Sequence, residues 1–332
     1  MCSSIFTAAR RDPVVMCGAE MIGSCDEGSS CLIGGGDSFI FEACEYGNSF
    51  LRLPPTLAVI LNAELDHVDF FTDKAMLLRA FGTFASSAQK AILPSDDAAL
   101  HAALPDIIGR ITFGIESGAD YRAEALAENA GFFSFDLILP RGAAGRVTLG
   151  VAGVHNVKNA LAAAAAADLS GVNAADILVG LAGFRGARRR MEYRGIFCGA
   201  RVFDDYAHHP TEIVATLKTA RDMAAGGRVF AVFQSHTYSR TAAFFGEICT
   251  ALAEADRVIV ADIYPARETD TLGMSATGLA AGVGAHAAYV GGLSDITATL
   301  VRELAPGDLV VVMGAGDIDR IFGEFSKKHF TL

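Results

Sequence analysis

From residue 201 to the C-terminus, short apolar runs at about 201–204, 228–233, 257–262, 287–290 and 308–313 alternate with helix-compatible stretches at about 210–225, 241–254, 275–284, 293–304 and 317–325. Repeated βα units of this length leave few topologies open: parallel strands, right-handed crossovers, and helices on both faces of a Rossmann-like, doubly wound sheet. Such a sheet binds ligands in the crevice beyond the carboxyl ends of its strands. Residues 202–212, Val-Phe-Asp-Asp-Tyr-Ala-His-His-Pro-Thr-Glu, fall at one of those ends. Val202 and Phe203 finish a strand, Pro210 suits a first helical turn, and Thr211 and Glu212 add first-turn polarity. Asp204 or His208 alone could merely cap the helix. Two carboxylates, a phenol and two imidazoles together mark a site.

The preceding half reads as a mixed-sheet α/β domain. Residues 1–11 have helical spacing at Ile5, Phe6 and Ala9 without an N-cap before them. Phe39–Ala43 and Leu57–Asn62 are continuous apolar runs ending in polar residues, the pattern of strands covered on both faces of a parallel sheet. A helix is expected from Thr72 or Asp73 to Ser87, then a buried strand at Ala91–Leu93 with its turn at Pro94 and Asp96-Asp97. Residues 110–150 alternate strand-like pieces with Gly-rich turns, a more antiparallel section. An Ala-dominated helix follows from Asn156 to about Leu169, ended by Gly171, and a short helix at 174–182. The composition shifts at Phe184-Arg185-Gly186-Ala187-Arg188-Arg189-Arg190, so the chain is expected to form two domains, 1–183 and 184–332.

A net charge of −11 argues against a nucleic-acid or anionic-membrane partner, although one anion site can still be locally basic. No stretch approaches the roughly 18 apolar residues that span a membrane. No signal peptide is visible. The cysteines at 2, 17, 25, 31, 44, 198 and 249 are odd in number and include no Cys-x-x-Cys pair, which fits a reduced, cytoplasmic protein with neither a disulfide framework nor a structural zinc.

Other clusters carry chemistry. Asn62-Ala-Glu-Leu-Asp-His67, with Glu42, offers oxygen and nitrogen ligands for a divalent cation, although histidine is an unusual Mg²⁺ ligand. His155-Asn156-x-x-Asn159 places imidazole and amide groups one turn apart at a helix start, able to face a purine edge; helix capping by Asn156 is the plainer account. Gln234-Ser-His-Thr-Tyr-Ser-Arg240 follows the strand 228–233 and opens on the same sheet edge as His208 and His209, where an arginine can clamp a carboxylate. Arg188–Arg190 is a solvated charge run by default and a nucleotide contact by its place beside Asp204 and Asp205. Gly314-Ala-Gly316 is half of a dinucleotide loop, more simply a tight strand-to-helix turn.

In order, Glu42-Ala-Cys-Glu45 with Ser49-Phe50, Leu61-Asn62-x-Glu64-x-Asp66-His67, His155-Asn156-x-x-Asn159, Arg189-Arg190, Asp204-Asp205-Tyr-Ala-His-His-Pro-Thr-Glu212 and Gln234-x-His-x-Tyr-Ser-Arg240 resemble the Mur ligases over essentially the whole chain. The pattern is similar to that of members joining L-alanine to UDP-N-acetylmuramate. Members that recycle tripeptides typically carry Phe where this chain has Tyr206 and lack the Gln-x-His-x-Tyr-Ser-Arg pattern. The resemblance implies ATP-driven amide formation for peptidoglycan: the muramyl carboxylate becomes an acyl phosphate, which the amine of L-alanine attacks. By match to the motifs, Glu42 and His67 would coordinate Mg²⁺. His155, Asn156 and Asn159 would face the adenine of ATP, Arg190 and Asp205 its ribose and phosphates. His208, His209, His236 and Arg240 would line the amino-acid pocket.

The family's first domain, which grips the uridine diphosphate, and its Gly-x-x-Gly-Lys-Thr phosphate loop have no counterpart in these 332 residues, and Met1 aligns a few residues past that loop. The expectation is an incomplete copy, inactive alone, whose missing part a separate chain could supply, or else a non-catalytic nucleotide-binding remnant. Smaller departures are Cys44, Tyr46 and Thr237, where many relatives carry Asp, Ser and Arg.

Overall fold

The computed structural model describes residues 1–23, 29–104, 109–115, 118–328 and 330–331. Its contacts divide the chain into two compact units, Met1–Gly186 and Ala187–Leu332. Cys25 lies outside the described residues.

In the first unit, α1 (Cys2–Ala8) is followed by β1 (Val14–Met16), β2 (Cys31–Leu32) and β3 (Phe39–Phe41). These strands make a small sheet of their own, ordered β2-β1-β3, with β1 antiparallel to β2 and parallel to β3. The expectation that Phe39–Ala43 is covered on both faces is therefore corrected. Phe39 is 55% exposed and stacks on Phe41, because among the described residues no second layer covers that side chain. After a 3₁₀ stretch at Tyr46–Arg52 come β4 (Leu57–Val59), α2 (Lys74–Ser87), β5 (Lys90–Pro94), α3 (Ala98–Ala103), β6 (Arg110–Gly114), β7 (Tyr121–Asn129), β8 (Phe132–Leu139), β9 (Gly142–Ala152), α4 (Val154–Leu169) and α5 (Ala174–Gly183). Asp73 caps α2 by accepting from the Met76 amide at 2.7 Å, as its position predicts. Asp97 likewise caps α3, where only a turn was expected. The main sheet runs β4-β5-β6-β7-β8-β9, parallel from β4 to β7 and antiparallel from β7 to β9.

The alanine run of α4 explains its place. Ala160 and Ala162–Ala167 are all buried, and side chains of one carbon let the helix lie close against its neighbours on every side. Gly180 of α5 does the same for α1: a Cβ there would stand 2.3 Å from Ile5 Cα, so only glycine admits the contact, which the Ser4 hydroxyl secures by donating to the Gly180 carbonyl at 2.7 Å.

In the second unit, β10 (Glu192–Phe197), β11 (Ala200–Asp205), α6 (Pro210–Ala224), β12 (Val229–Phe233), α7 (Tyr238–Ala243), α8 (Phe245–Leu252), β13 (Arg257–Val260), α9 (Ala276–Val283), β14 (Ala287–Tyr289), α10 (Leu293–Glu303), β15 (Leu309–Met313), α11 (Ile321–Phe325) and β16 (Phe330–Thr331) form one sheet with helical crossovers. The strand order is β14-β13-β12-β15-β11-β10-β16, parallel from β14 through β11. This is the expected α/β architecture. β12 and β15 are buried at every position, which is why they read as unbroken apolar runs.

Two features depart from expectation. β10 and β16 extend the sheet antiparallel to its parallel body. β10 carries Glu192, Arg194 and Gly195, so it lacks an apolar signature. What makes it a strand is the two-residue turn Cys198-Gly199, both at positive φ, which folds it back on β11. The single helix expected at 241–254 is instead α7 and α8, broken at Phe244, and it starts earlier, at a turn led by Thr237. Among the described residues no helix is long and apolar enough to cross a membrane.

Candidate functional site

β11, β15 and β12 are neighbours in the sheet, so the loops leaving their carboxyl ends, 206–209, 314–317 and 234–237, emerge side by side. Tyr206 lies beneath two guanidinium groups, with Arg189 5.0 Å and Arg190 5.6 Å from its ring centre, and meets the His208 ring edge-on at 5.4 Å. His208 and His236 rings are 6.0 Å apart. The half-buried His208 donates from Nδ1 to the Tyr206 carbonyl at 2.9 Å, which fixes its tautomer when neutral. His236 accepts at Nδ1 from Arg240 Nη1 at 3.1 Å and stacks on Tyr264 at 5.5 Å. Arg240 is only 9% exposed. The fold thus brings His208, His236 and Arg240 into one cluster.

His209 takes a different part. It is the N-cap of α6, with Pro210 opening the helix, and Glu212 completes a capping box by accepting from the His208 and His209 amides at 3.1 and 3.3 Å. Its ring packs edge-on against Phe244 at 4.9 Å. The capping role weighed for Asp204 and His208 belongs to His209. Burial alone would raise the Glu212 pKa, but His208, Arg190 and the two amides outweigh it and hold the carboxyl below its ordinary range. Arg190 reaches Glu212 Oε1 at 3.3 Å and is half exposed.

Asp205 turns inward. Its Oδ1 accepts from the Ala207 amide at 2.8 Å and the Thr216 hydroxyl at 3.1 Å, and its Oδ2 from the Met191 amide at 2.7 Å. Burial raises its pKa against those hydrogen bonds. In this arrangement Asp205 braces the loop, since a buried carboxylate is stable only where internal donors replace water.

Asp204 is the opposite case. It is 0% exposed and neither oxygen has a hydrogen-bond partner; Arg189 Nε and Arg194 Nη1 each stand 3.5 Å away. Loss of hydration pushes its pKa up to about 7, with Arg189 and Arg194 resisting and Asp319 and Glu192 adding to the rise. The folded pKa exceeds the unfolded one, so this carboxyl favours folding most below the unfolded value, and its contribution is lost as pH rises through about 7. Asp204→Asn removes the titration. The melting-temperature difference between parent and variant should therefore drift against the parent from pH 5 to 8.5; a constant difference would contradict the assignment. Arg189 also closes the Gly314-Ala-Gly316 turn, donating to the Gly314 and Gly316 carbonyls. A Cβ on Gly316 would lie 2.4 Å from Gln234 Oε1, so the turn's glycines serve close packing, as the simpler reading had it.

In the first unit, His67 sits at φ +52 with Nε2 3.4 Å from Glu45 Oε1, and its ring is 5.0 Å from Tyr46. The hydrogen bond to His67 lowers the Glu45 pKa against burial. Glu42 is exposed and accepts from the Gly18 amide at 2.9 Å. Glu45, three positions on, is thus the direct partner of His67. Among the described residues no group of three or more His, Cys, Asp or Glu side chains is arranged to hold a metal ion.

α4 begins two residues earlier than expected, at Val154, with Gly153 as N-cap at φ +95, so Asn156 does not cap it. Asn156 Nδ2 reaches back to the Ala152 carbonyl at 2.7 Å and to His155 Nε2 at 3.1 Å, while Asn159 donates to Asn156 Oδ1 at 3.2 Å. One chain of hydrogen bonds therefore orients all three expected adenine-facing residues, with His155 exposed at its end.

Sequence reasoning missed Tyr264 and Glu268, in the loop after β13. Glu268 accepts from the Tyr238 and Ser239 amides at 2.6 and 3.0 Å. The signal available was that β13 belongs to the same parallel sheet, so its carboxyl-end loop opens on the same edge.

Comparison with known proteins shows the family. Residues 32–167 match the Mur ligase middle domain and residues 189–316 the Mur ligase glutamate ligase domain. The UDP-N-acetylmuramate–L-alanine ligase of Lachnospira eligens is 40% identical over 97% of the chain and 71% of its own length, and that of Syntrophus aciditrophicus 39% identical over 97% and 68%. The crystal structure of UDP-N-acetylmuramate–alanine ligase from Thermotoga maritima superposes with a TM-score of 0.79 at 25% identity, covering 98% of this chain and 71% of that one.

Proposed function

Because this chain belongs to the Mur ligase family, we propose that it joins L-alanine to UDP-N-acetylmuramate in a cytoplasmic, ATP-dependent reaction. The observation that carries the reading is the His208–His236–Arg240 cluster at the carboxyl edge of the second unit's sheet, in a chain whose curated relatives bear that activity in their names. A buried guanidinium with an imidazole beside it suits a small amino acid: Arg240 holds the carboxylate, and the histidines face the amine and the carbon it attacks.

ATP supplies the phosphoryl group that activates the muramyl carboxylate, and Mg²⁺ offsets the phosphate charge. Glu42 and His67 are assigned to Mg²⁺ for their donor chemistry, carboxylate oxygen being what Mg²⁺ prefers; Glu42 is exposed, and His67 lies beside Glu45, but among the described residues these groups do not stand together as a set of three ligands. His155 and Asn159 are assigned to the adenine, with Asn156 holding both in place. Arg190, half exposed, is assigned to the phosphates, and Asp205 holds the loop on which Tyr206 and the histidines stand.

The test is phosphate release from ATP by the full gene product with Mg²⁺, UDP-N-acetylmuramate and either L-alanine or the stem tripeptide. Turnover with L-alanine is expected. Turnover with the tripeptide alone would replace this reading with the recycling one.

A further inference from the structure

The loop after β13 brackets the loop after β12 at several points. The Tyr264 amide donates to the Ser235 carbonyl at 2.9 Å, the Tyr264 carbonyl accepts from the Thr237 amide at 2.8 Å, and the Tyr264 ring lies on His236. Glu268 adds the charged contact. One carboxylate oxygen accepts from the Tyr238 and Ser239 amides, and the other from the Ser239 hydroxyl. Burial opposes ionisation of Glu268, but the Ser239 hydroxyl, the two amides and nearby His236 prevail and lower its pKa.

The segment so held is strained. Thr237 stands at φ +64 and ψ 148, a region that a β-branched side chain avoids. Such a conformation persists only where its surroundings over-determine it. Thr237 already caps α7, since its hydroxyl takes the Arg240 amide at 3.3 Å. A six-residue helix with its own cap does not call for an external carboxylate as well. What the carboxylate does is fix Tyr238 and Ser239, directly before Arg240, while Tyr264 of the same loop holds Thr237 and lies on His236.

We propose that Glu268 is a positioning residue of the amino-acid pocket: by clamping the first turn of α7 it sets the mutual placement of Arg240 and His236, and hence the affinity for the amino-acid substrate. The proposal rests on the reading of that cluster as the L-alanine site. A residue that merely stabilised the unit would leave the Michaelis constants alone.

The experiment is steady-state kinetics of the full gene product carrying Glu268→Ala, Glu268→Gln, Ser239→Ala or Arg240→Ala. Glu268→Ala should raise KM for L-alanine about tenfold while changing kcat and KM for ATP by less than about twofold. Glu268→Gln, which can still accept from both amides and donate to the Ser239 oxygen, should recover most of the loss. Ser239→Ala removes one arm of the clamp and should raise KM about threefold; it decides the matter if Glu268→Ala does not fold. An unchanged KM for L-alanine in the Glu268 or Ser239 variants, with Arg240→Ala raising it, overturns this proposal alone. An unchanged KM in Arg240→Ala as well overturns the pocket assignment beneath it.

Discussion

Replacing Asp205 by alanine is expected to destabilise the second unit by about 2–5 kcal/mol, because it strands a buried and a half-buried backbone amide and a buried hydroxyl, and a buried group without a partner costs about 1–3 kcal/mol. The amides are those of Met191 and Ala207, and the hydroxyl is that of Thr216. Through them Asp205 ties the segment before β10, the loop after β11 and helix α6 to one point. Asparagine should recover only part of the loss, since its amide nitrogen would face the Met191 N–H or the Ala207 N–H, donor against donor. Amide hydrogen exchange reads the effect locally, which avoids assuming that a chain of two compact units unfolds in one step. Protection at Met191 and Ala207 should fall in step with the denaturation midpoint. Retained protection at both, with a midpoint shift worth less than about 1 kcal/mol, would mean that water replaces the carboxylate there.

The second large effect falls on the substrate. Arg240→Ala should raise KM for L-alanine by about ten- to a hundredfold or more, since a charge-assisted hydrogen bond is worth about 1.5–3 kcal/mol. Turnover at saturating L-alanine should fall much less, because a contact made equally in ground and transition states sets KM and not kcat. Lysine should rescue poorly: a single ammonium cannot both reach the His236 nitrogen and hold a carboxylate with two parallel bonds. If the loss appears instead as a raised KM for ATP, Arg240 serves the phosphates.

The elements that were legible before folding are those whose signal is local. The βα rhythm after residue 201, the cap at Asp73 and the end of α4 near Gly171 each follow from side-chain chemistry within one or two turns of chain. The stretch around His208 and the Gln234–Arg240 segment were legible for a related reason. A run of ionisable groups directly after an apolar strand conflicts with burial, and the topology of a parallel sheet says where such groups must gather.

The remaining features depend on partners that the chain supplies from far away. β10 is a strand because β11 is there to pair with it, and its own residues, interrupted by Arg194 and Gly195, carry no alternation to reveal it. β3 was read as buried because apolar runs report hydrophobicity and not whether a second layer exists to cover them. Asp204 and Asp205 are adjacent and chemically identical in sequence, yet one is left with no hydrogen bond and the other holds three donors; successive side chains of a strand leave on opposite faces, and what waits on each face is a tertiary matter. Glu268 meets Ser239 across 29 positions of chain. The carboxylates and imidazoles were all present in the linear order, but a hydrogen bond needs a donor within about 3 Å, and only packing sets that distance.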